Sequence, residues 1–456
     1  MMYNEGTIIA LSSAPGSGAI AIIRLSGEDA ISKTDLFFKS KSGKKLSQSS
    51  GYSISYGDLV DADEIIDEVV ISVYKAPHSY TGENIIEISC HGSTYIQQRI
   101  LTLFTDAGVR LASPGEFTLR AYLNNKKDLS QAEAVSDLIA SESKEAHRVA
   151  MEQMRGGYSD EIEVLREKLI HFKSLIELEL DFSEEDVEFA NRSDLKTLLD
   201  ELDTKLSSLI ESFTYGNVIK EGVTVTIAGK PNAGKSSLLN AIVNDDKAIV
   251  SNIPGTTRDA IEDVTNINGV KYRFIDTAGI RETSDEIESI GVAKAKSKIG
   301  SSRILIYLFD RSDIEENELI KEVKSYLRDD LQVYLVENKI DLLNNSNTSS
   351  YEDNIKSLIN EENVTFYRIS ALDSDLVTGL KELISSNLKL SSQSNIIITN
   401  SRHLEALNNS LKAIESVKKG LKEGLSGDLL SIDLNDAIIN ISIITGKIDI
   451  DQDILG

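Results

Sequence analysis

The 456 residues carry 48 basic and 73 acidic side chains, a net charge of −25, which argues against a free-standing nucleic-acid binder because phosphate affinity needs clustered Lys and Arg. A hydrophobic content of 41% excludes wholesale disorder, and at roughly 150 residues per domain the length predicts two to four domains. A single cysteine, Cys90, excludes a disulfide framework or thiolate zinc site; with no signal-peptide pattern and no apolar run near ~18 residues, a cytoplasmic chain without a membrane span is expected.

In chain order, TIIALSS, AIAIIRLSG, DEVVISVY and NIIEISC are short β-rich runs, with a helix near 94–107, and they predict an α/β domain over 1–122. From about 128 the pattern is helical: Ile162, Leu165, Leu169, Phe172, Leu175 and Leu178 recur every three or four positions. A second α/β unit opens with VTVTIAG at 223. Helical spacing then resumes at Leu404, Leu407, Leu411, Ile414, Val417 and Leu421. The expected architecture is therefore multidomain α/β plus all-α. A discontinuous helical domain, 123–215 and 386–456, holds an inserted α/β domain at 216–385. The five prolines (15, 77, 114, 231 and 254) each sit in a glycine-containing turn, which marks shaped loops. The stretch NNSNTSS at 344–350 reads as a mobile surface loop.

The strongest signal is GKPNAGKS at 229–236, a G-x-x-x-x-G-K-S phosphate loop between a β-branched strand and a helix-forming SSLLNAIV. The glycines free backbone N–H groups to face a β-phosphate at a helix N-terminus. Lys235 would bridge β- and γ-phosphates and Ser236 would ligate Mg²⁺. Asn232, Ala233, Gly234 and Ser237 complete the loop's contacts. IPGTTRD then offers Thr256 and Thr257, of which one hydroxyl or carbonyl can reach Mg²⁺. YRFI ends in Asp276-Thr277-Ala278-Gly279, able to sense the γ-phosphate. LQVYLVE leads into Asn338-Lys339-Ile-Asp341, and YRIS into Ser370-Ala371. Asp341 selects the base: its carboxylate can accept from guanine N1–H and the 2-amino group. Mismatching that buried carboxylate with adenine costs at least about 1–3 kcal/mol. Five motifs in this order predict a P-loop, Ras-like guanine-nucleotide domain.

Two features depart from the Ras-type pattern. Ile280 occupies the position of the water-orienting glutamine. No arginine finger stands out either; Arg258 is as well explained structurally. Cys90-His91 invites a catalytic reading, but it follows an apolar strand without a matching partner, so a structural role is expected.

Beyond the nucleotide motifs, ALSSAPGSGAIAIIRLSG, PHSYTGENIIEISCHG, SPGEFTLRAYLNNKKDLSQAEAVSDLI, DFSEEDVEF and DTAGIRETSDEIESIG resemble the MnmE (TrmE) family of tRNA-modification GTPases. The resemblance runs from residue 7 onward. It implies a homodimer, paired through the N-terminal domain, that works with an MnmG-type FAD-dependent partner. Together they place an aminomethyl or carboxymethylaminomethyl group on C5 of the wobble uridine of tRNA. It also implies a 5-formyl- or methylene-tetrahydrofolate in the N-terminal domain, with Arg24, Glu83 and Lys126 as contacts. That set is chemically sensible, since a folate offers tail carboxylates to cations and a pterin N–H edge to a carboxylate. By the same resemblance Asn232, Ser251, the Ile253 carbonyl and Thr256 hold K⁺, and Glu288 activates the water. Ser251 and Thr256 also line the GTP site. The family's terminal Phe-Cys-Ile-Gly-Lys segment is not in this sequence, which stops at Gly456; a truncation is expected. The competing readings are a regulatory or ribosome-assembly GTPase without modification chemistry, and a folate-dependent one-carbon transferase with a regulatory GTPase domain.

Overall fold

The structure is a computed structural model that describes residues 6–181, 192–244, 262–276, 299–300, 302–342, 348–359, 361–387 and 396–447. It divides into two compact units. One comprises 1–136, 153–166 and 441–456; the other comprises 137–152 and 167–440.

The first unit is built on a seven-stranded sheet in the order β3-β4-β5-β6-β2-β1-β7. Its strands are β1 (Ile8–Leu11), β2 (Ile20–Ser26), β3 (Phe38–Ser40), β4 (Ser53–Asp61), β5 (Glu64–Tyr74), β6 (Ile85–His91) and β7 (Arg110–Leu111). Pairing is antiparallel except between β1 and β7. Strand alternation sends Ala21, Ile23 and Leu25 of β2 into a core with Ile100, Leu103 and Phe104. Those three come from a helix at Thr94–Asp106, where the sequence predicts one. The opposite face of β2 carries Ile22, Arg24 and Ser26, and there the candidate pocket forms. The pair β3–β4 is not foreseen: β3 is only three residues long, and the alternating Ile54 and Tyr56 of β4 lie on its exposed face.

Residues from the end of the chain complete this unit. Arg166 Nε donates to Ser442 Oγ at 2.9 Å, and Tyr122 Oη donates to the Gly446 carbonyl at 3.1 Å.

The second unit combines long helices with an inserted sheet. Six strands run in the order β13-β12-β11-β8-β10-β9. They are β8 (Val223–Ala228), β9 (Glu262–Ile267), β10 (Val270–Asp276), β11 (Ile304–Asp310), β12 (Gln332–Asn338) and β13 (Val364–Arg368). All neighbours are parallel except β9 and β10. Ile304 to Phe309 are buried without a break, as a central parallel strand covered on both faces requires. The hairpin formed by β9 and β10 leans on the helical segment near 142. Lys271 Nζ meets Glu142 Oε2 at 2.7 Å, and the Glu145 N–H donates to the Gly269 carbonyl at 3.3 Å.

Two expectations need correction. The helix Gly157–Asp181 buries Ile162, Leu165 and Leu169 as expected, but then Lys173 and Ile176, leaving Leu178 exposed. A repeat of three drifts off the 3.6-residue stripe, so the buried line passes between Phe172 and Leu175. Part of the 344–350 loop is also helical: a helix begins at Thr348 and runs to Ile359, while 343–347 lie outside the described residues.

Candidate functional site

The end of β8 runs into the phosphate loop, and the loop into the helix Lys235–Asn244. Gly229, at φ +143°, passes so close to β11 that a Cβ would lie 1.9 Å from the Leu308 carbonyl oxygen. Gly234, at φ +98°, faces the Asn338 amide, where a Cβ would lie 2.3 Å from Nδ2. Both positions demand glycine. Asn232 adopts φ +62°, a left-handed conformation that asparagine tolerates, and is exposed. Ala233 is buried beneath the loop, whereas Ser236 and Ser237 are exposed at the first helical turn. Lys235 Nζ donates to the carbonyls of Gly229 at 2.6 Å and Lys230 at 2.9 Å, so the loop's own backbone holds the ammonium at its mouth.

The base-reading motifs converge on this loop through one side chain. Asn338, 2% exposed at the end of β12, donates from Nδ2 to the Ala233 carbonyl at 2.7 Å. Its Oδ1 accepts from the Ala371 N–H at 3.0 Å. One amide thereby ties the phosphate loop to the Ser370-Ala371 turn. Ser370 is buried and its Oγ accepts from the Leu372 N–H. Lys339 sits at φ +61°, and its Nζ meets Asp310 Oδ2 at 3.0 Å. Burial pushes the Asp310 carboxyl up, but bonds from Ser312 and Lys339 outweigh it and hold the group below the usual carboxylate range. Asp310 is a functional support that sequence reasoning missed, although its place at the end of ILIYLFD marks a strand-end acid. Asp341, expected as a buried carboxylate, lies exposed in a 3₁₀ turn.

Asp276 ends β10 opposite Ile227 of β8, so the strand-end aspartate arrives beside the start of the phosphate loop. Ser251, Ile253, Thr256, Thr257, Thr277, Ala278, Gly279 and Glu288 lie outside the described residues.

In the first unit, Arg24, Glu83 and Lys126 gather around the turn at 79–83. The Arg24 guanidinium lies 5.5 Å from the ring centres of both Tyr80 and Phe117, and its Nη2 meets Glu87 Oε1 at 2.7 Å. Glu83 Oε2 accepts from Ser26 Oγ at 2.7 Å. Lys126 is exposed, and its stem is close enough that a Cβ on Gly82 would stand 3.3 Å from Cε. Beneath them lies Arg120, 1% exposed and missed by the sequence reading. Its Nη1 donates to both Glu83 oxygens, at 3.1 and 3.0 Å, and its Nη2 to the Gly6 carbonyl and Glu116 Oε1. Nothing local foretells this pair, which is 37 residues apart.

Cys90 is buried, and burial pushes its thiol up to about 11, which suppresses the nucleophilic thiolate. Its neighbour His91 does have a partner: Nδ1 lies 2.7 Å from Asp67 Oδ1.

Family comparisons agree with this geometry. The model of the MnmE helical domain matches residues 129–456, and that of the GTP-binding protein TrmE N-terminus matches 7–126. The tRNA modification GTPase MnmE of Bacteroides fragilis is 48% identical over 98% of this chain and 97% of its own length. That of Flavobacterium johnsoniae is 47% identical over 99% and 97%. A solved structure of Aquifex aeolicus Era covers 42% of this chain and 66% of its own at 27% identity, with a TM-score of 0.28 that carries no weight here. With an N-terminal α/β sheet, long helices and a P-loop domain in one chain, the protein belongs to the MnmE (TrmE) family of tRNA modification GTPases.

Proposed function

We propose that this chain hydrolyses GTP while modifying the wobble uridine of tRNA at C5, as a homodimer working with an MnmG-type FAD-dependent partner. We take residues 1–122 as its folate and dimerisation domain, 216–385 as its GTPase domain, and 123–215 with 386–456 as its helical domain. The observation that carries the GTPase reading is the pair of hydrogen bonds made by the Asn338 amide, which couples the phosphate loop to the base-reading turn. Near full-length identity to MnmE proteins favours it over a regulatory or ribosome-assembly GTPase.

Ser236, exposed beside Lys235, and Thr257 would hold Mg²⁺. Asn232, whose backbone turns its residue outward, would hold K⁺ with Ser251, the Ile253 carbonyl and Thr256; the ion supplies positive charge at the transferring phosphoryl group. Glu288 orients the water in place of the missing glutamine. In the first unit, Glu83 presents a carboxylate fixed by Arg120 and Ser26 to a pterin edge, while Arg24 and Lys126 offer cations to the folate tail. A bound 5-formyl- or methylene-tetrahydrofolate supplies the one-carbon unit.

Calorimetry tests the base choice: GTP and GDP should bind, ATP should not, and Asp341→Asn should shift preference toward xanthosine nucleotides. Equal affinity for ATP and GTP would refute it. Single-turnover hydrolysis in KCl against NaCl at matched ionic strength tests the ion and Glu288. Potassium should accelerate the wild type and not Asn232→Ala, and Glu288→Ala should bind GTP while losing most turnover. Mass spectrometry of tRNA nucleosides from cells lacking the protein should show loss of the modified wobble uridine.

A further inference from the structure

Between Leu36 and Gly57 the chain has four lysines and no aspartate or glutamate, although acidic residues outnumber basic ones 73 to 48 overall. This stretch forms the edge strand β3, the turn after it and the 3₁₀ turn Leu46–Gln48, and it leaves Lys39, Lys41, Lys44 and Lys45 exposed. Lys41 is engaged, with Nζ 2.7 Å from Asp58 Oδ1 and 3.3 Å from Glu68 Oε1. Among the described residues, Lys39, Lys44 and Lys45 make no ion pair. Lys75 joins from the end of β5, donating from Nζ to the Ser47 carbonyl at 3.4 Å. Nearby Tyr52 is held at φ +58°, is 71% exposed, and stands edge-on to Tyr74 with ring centres 5.8 Å apart.

Free ammonium groups, serine hydroxyls between them and an exposed aromatic ring make up the surface that a nucleic-acid backbone takes. Cations and hydroxyls meet phosphates, and a ring can stack on an unpaired base. We propose that this β3–β4 loop is a contact surface for the phosphate backbone of tRNA. The inference rests on the tRNA-modification reading and adds to it the place of contact. The acidity of the rest of the molecule sharpens the argument. A polyanion is repelled by most of the surface and settles where lysines outnumber carboxylates, as Lys39, Lys41, Lys44, Lys45 and Lys75 do here against the bordering Asp35, Asp58 and Glu68. The loop also lies on the same sheet as Arg24, and Lys75 opens the segment that carries Tyr80 and Glu83. Phosphates held here would fix the RNA on the unit that carries the candidate one-carbon pocket.

The test uses the full chain with Lys39, Lys44 and Lys45 all changed to glutamine, alongside wild type. Fluorescent tRNA transcripts are titrated by anisotropy over a series of KCl concentrations. The variant should bind about tenfold more weakly at low salt, and its plot of log K against log salt should be shallower by roughly 2, as three lost phosphate contacts require. Its melting temperature and GTP hydrolysis should stay at wild-type values, because these side chains touch neither core nor nucleotide loop. Unchanged affinity and slope, while wild type binds tRNA, would remove the loop and leave the tRNA reading standing. A wild type that binds no tRNA would sink that reading and the loop with it. If light scattering shows the variant losing a dimer while tRNA affinity holds, the loop serves a second copy of the chain and the proposal fails.

Discussion

Arg120 is a buried cation surrounded by oxygen: two carboxylates, Glu83 and Glu116, and the Gly6 carbonyl all accept from it. Arg120→Met should destabilise the first unit by roughly 3–5 kcal/mol, read by chemical denaturation, because Glu83 loses its countercharge in a buried setting, while Glu116 keeps Arg110. Glu116 gives the pH signature. Hydrogen bonds from the Arg110 guanidinium, reinforced by the Ser113 N–H and Arg120, outweigh burial and hold its carboxyl at about 2, below its ordinary 4.5. The stabilisation is fully present above about pH 4.5 and fades as pH falls toward 2; the shift corresponds to roughly 3 kcal/mol. Glu116→Gln should melt earlier than wild type at pH 7, and the gap should narrow through that acid window. A constant gap down to pH 2.5 would show that the charge is not responsible. At the phosphate loop, Gly234→Ala should abolish nucleotide binding measured by calorimetry. The added methyl displaces the Asn338 amide from the Ala233 carbonyl, and left-handed backbone adds strain. At this scale the sequence names the residues that would touch ligands but not those that hold them. The ligand residues occupy contiguous motifs, whereas Arg120, Asp310 and Asp67 meet their partners only through strand pairing and helix placement.

Among the elements, the long helix Arg192–Glu221 gives a case in which two local preferences oppose each other. Gly216 lies within it, and alanine there would gain about 1 kcal/mol of helix propensity. Yet a Cβ on Gly216 would stand 1.9 Å from the Ile398 carbonyl oxygen, where the chain crosses before the helix Ser401–Glu423. One turn earlier, Ser212 Oγ accepts from the Ile398 N–H at 3.1 Å, so the crossing cannot drift away. Overpacking against fixed backbone costs about 1–3 kcal/mol, and Gly216→Ala should lower the denaturation midpoint of the second unit rather than raise it. Legibility at this scale follows the strength of the repeat. β6, β8, β10 and the helix at 94–106 carry dense apolar patterns and are found near their observed limits. β3 and β4 are serine-rich and half exposed, and the buried Lys173 is not an apolar residue to count.

Over the whole molecule, four of the five guanine-nucleotide motifs stand at the ends of strands of the inserted sheet, at β8, β10, β12 and β13. The sequence pairs 386–456 with 123–215, but it does not reveal that 153–166 and 441–456 group with 1–136. The first unit takes in 1–136, 153–166 and 441–456, and its bonds from Tyr122 to Gly446 and from Arg166 to Ser442 span 324 and 276 residues. This has a consequence in time. At about 5–20 residues per second of synthesis, Arg166 emerges roughly 15–55 s before Ser442 can accept its hydrogen bond. The first part of the protein to leave the ribosome is thus among the last to be finished. Until then, the segment 153–166 depends on chaperones or on its own helical propensity, and nascent chains stalled before residue 441 should be cleaved there by protease while the sheet of β1 to β7 resists.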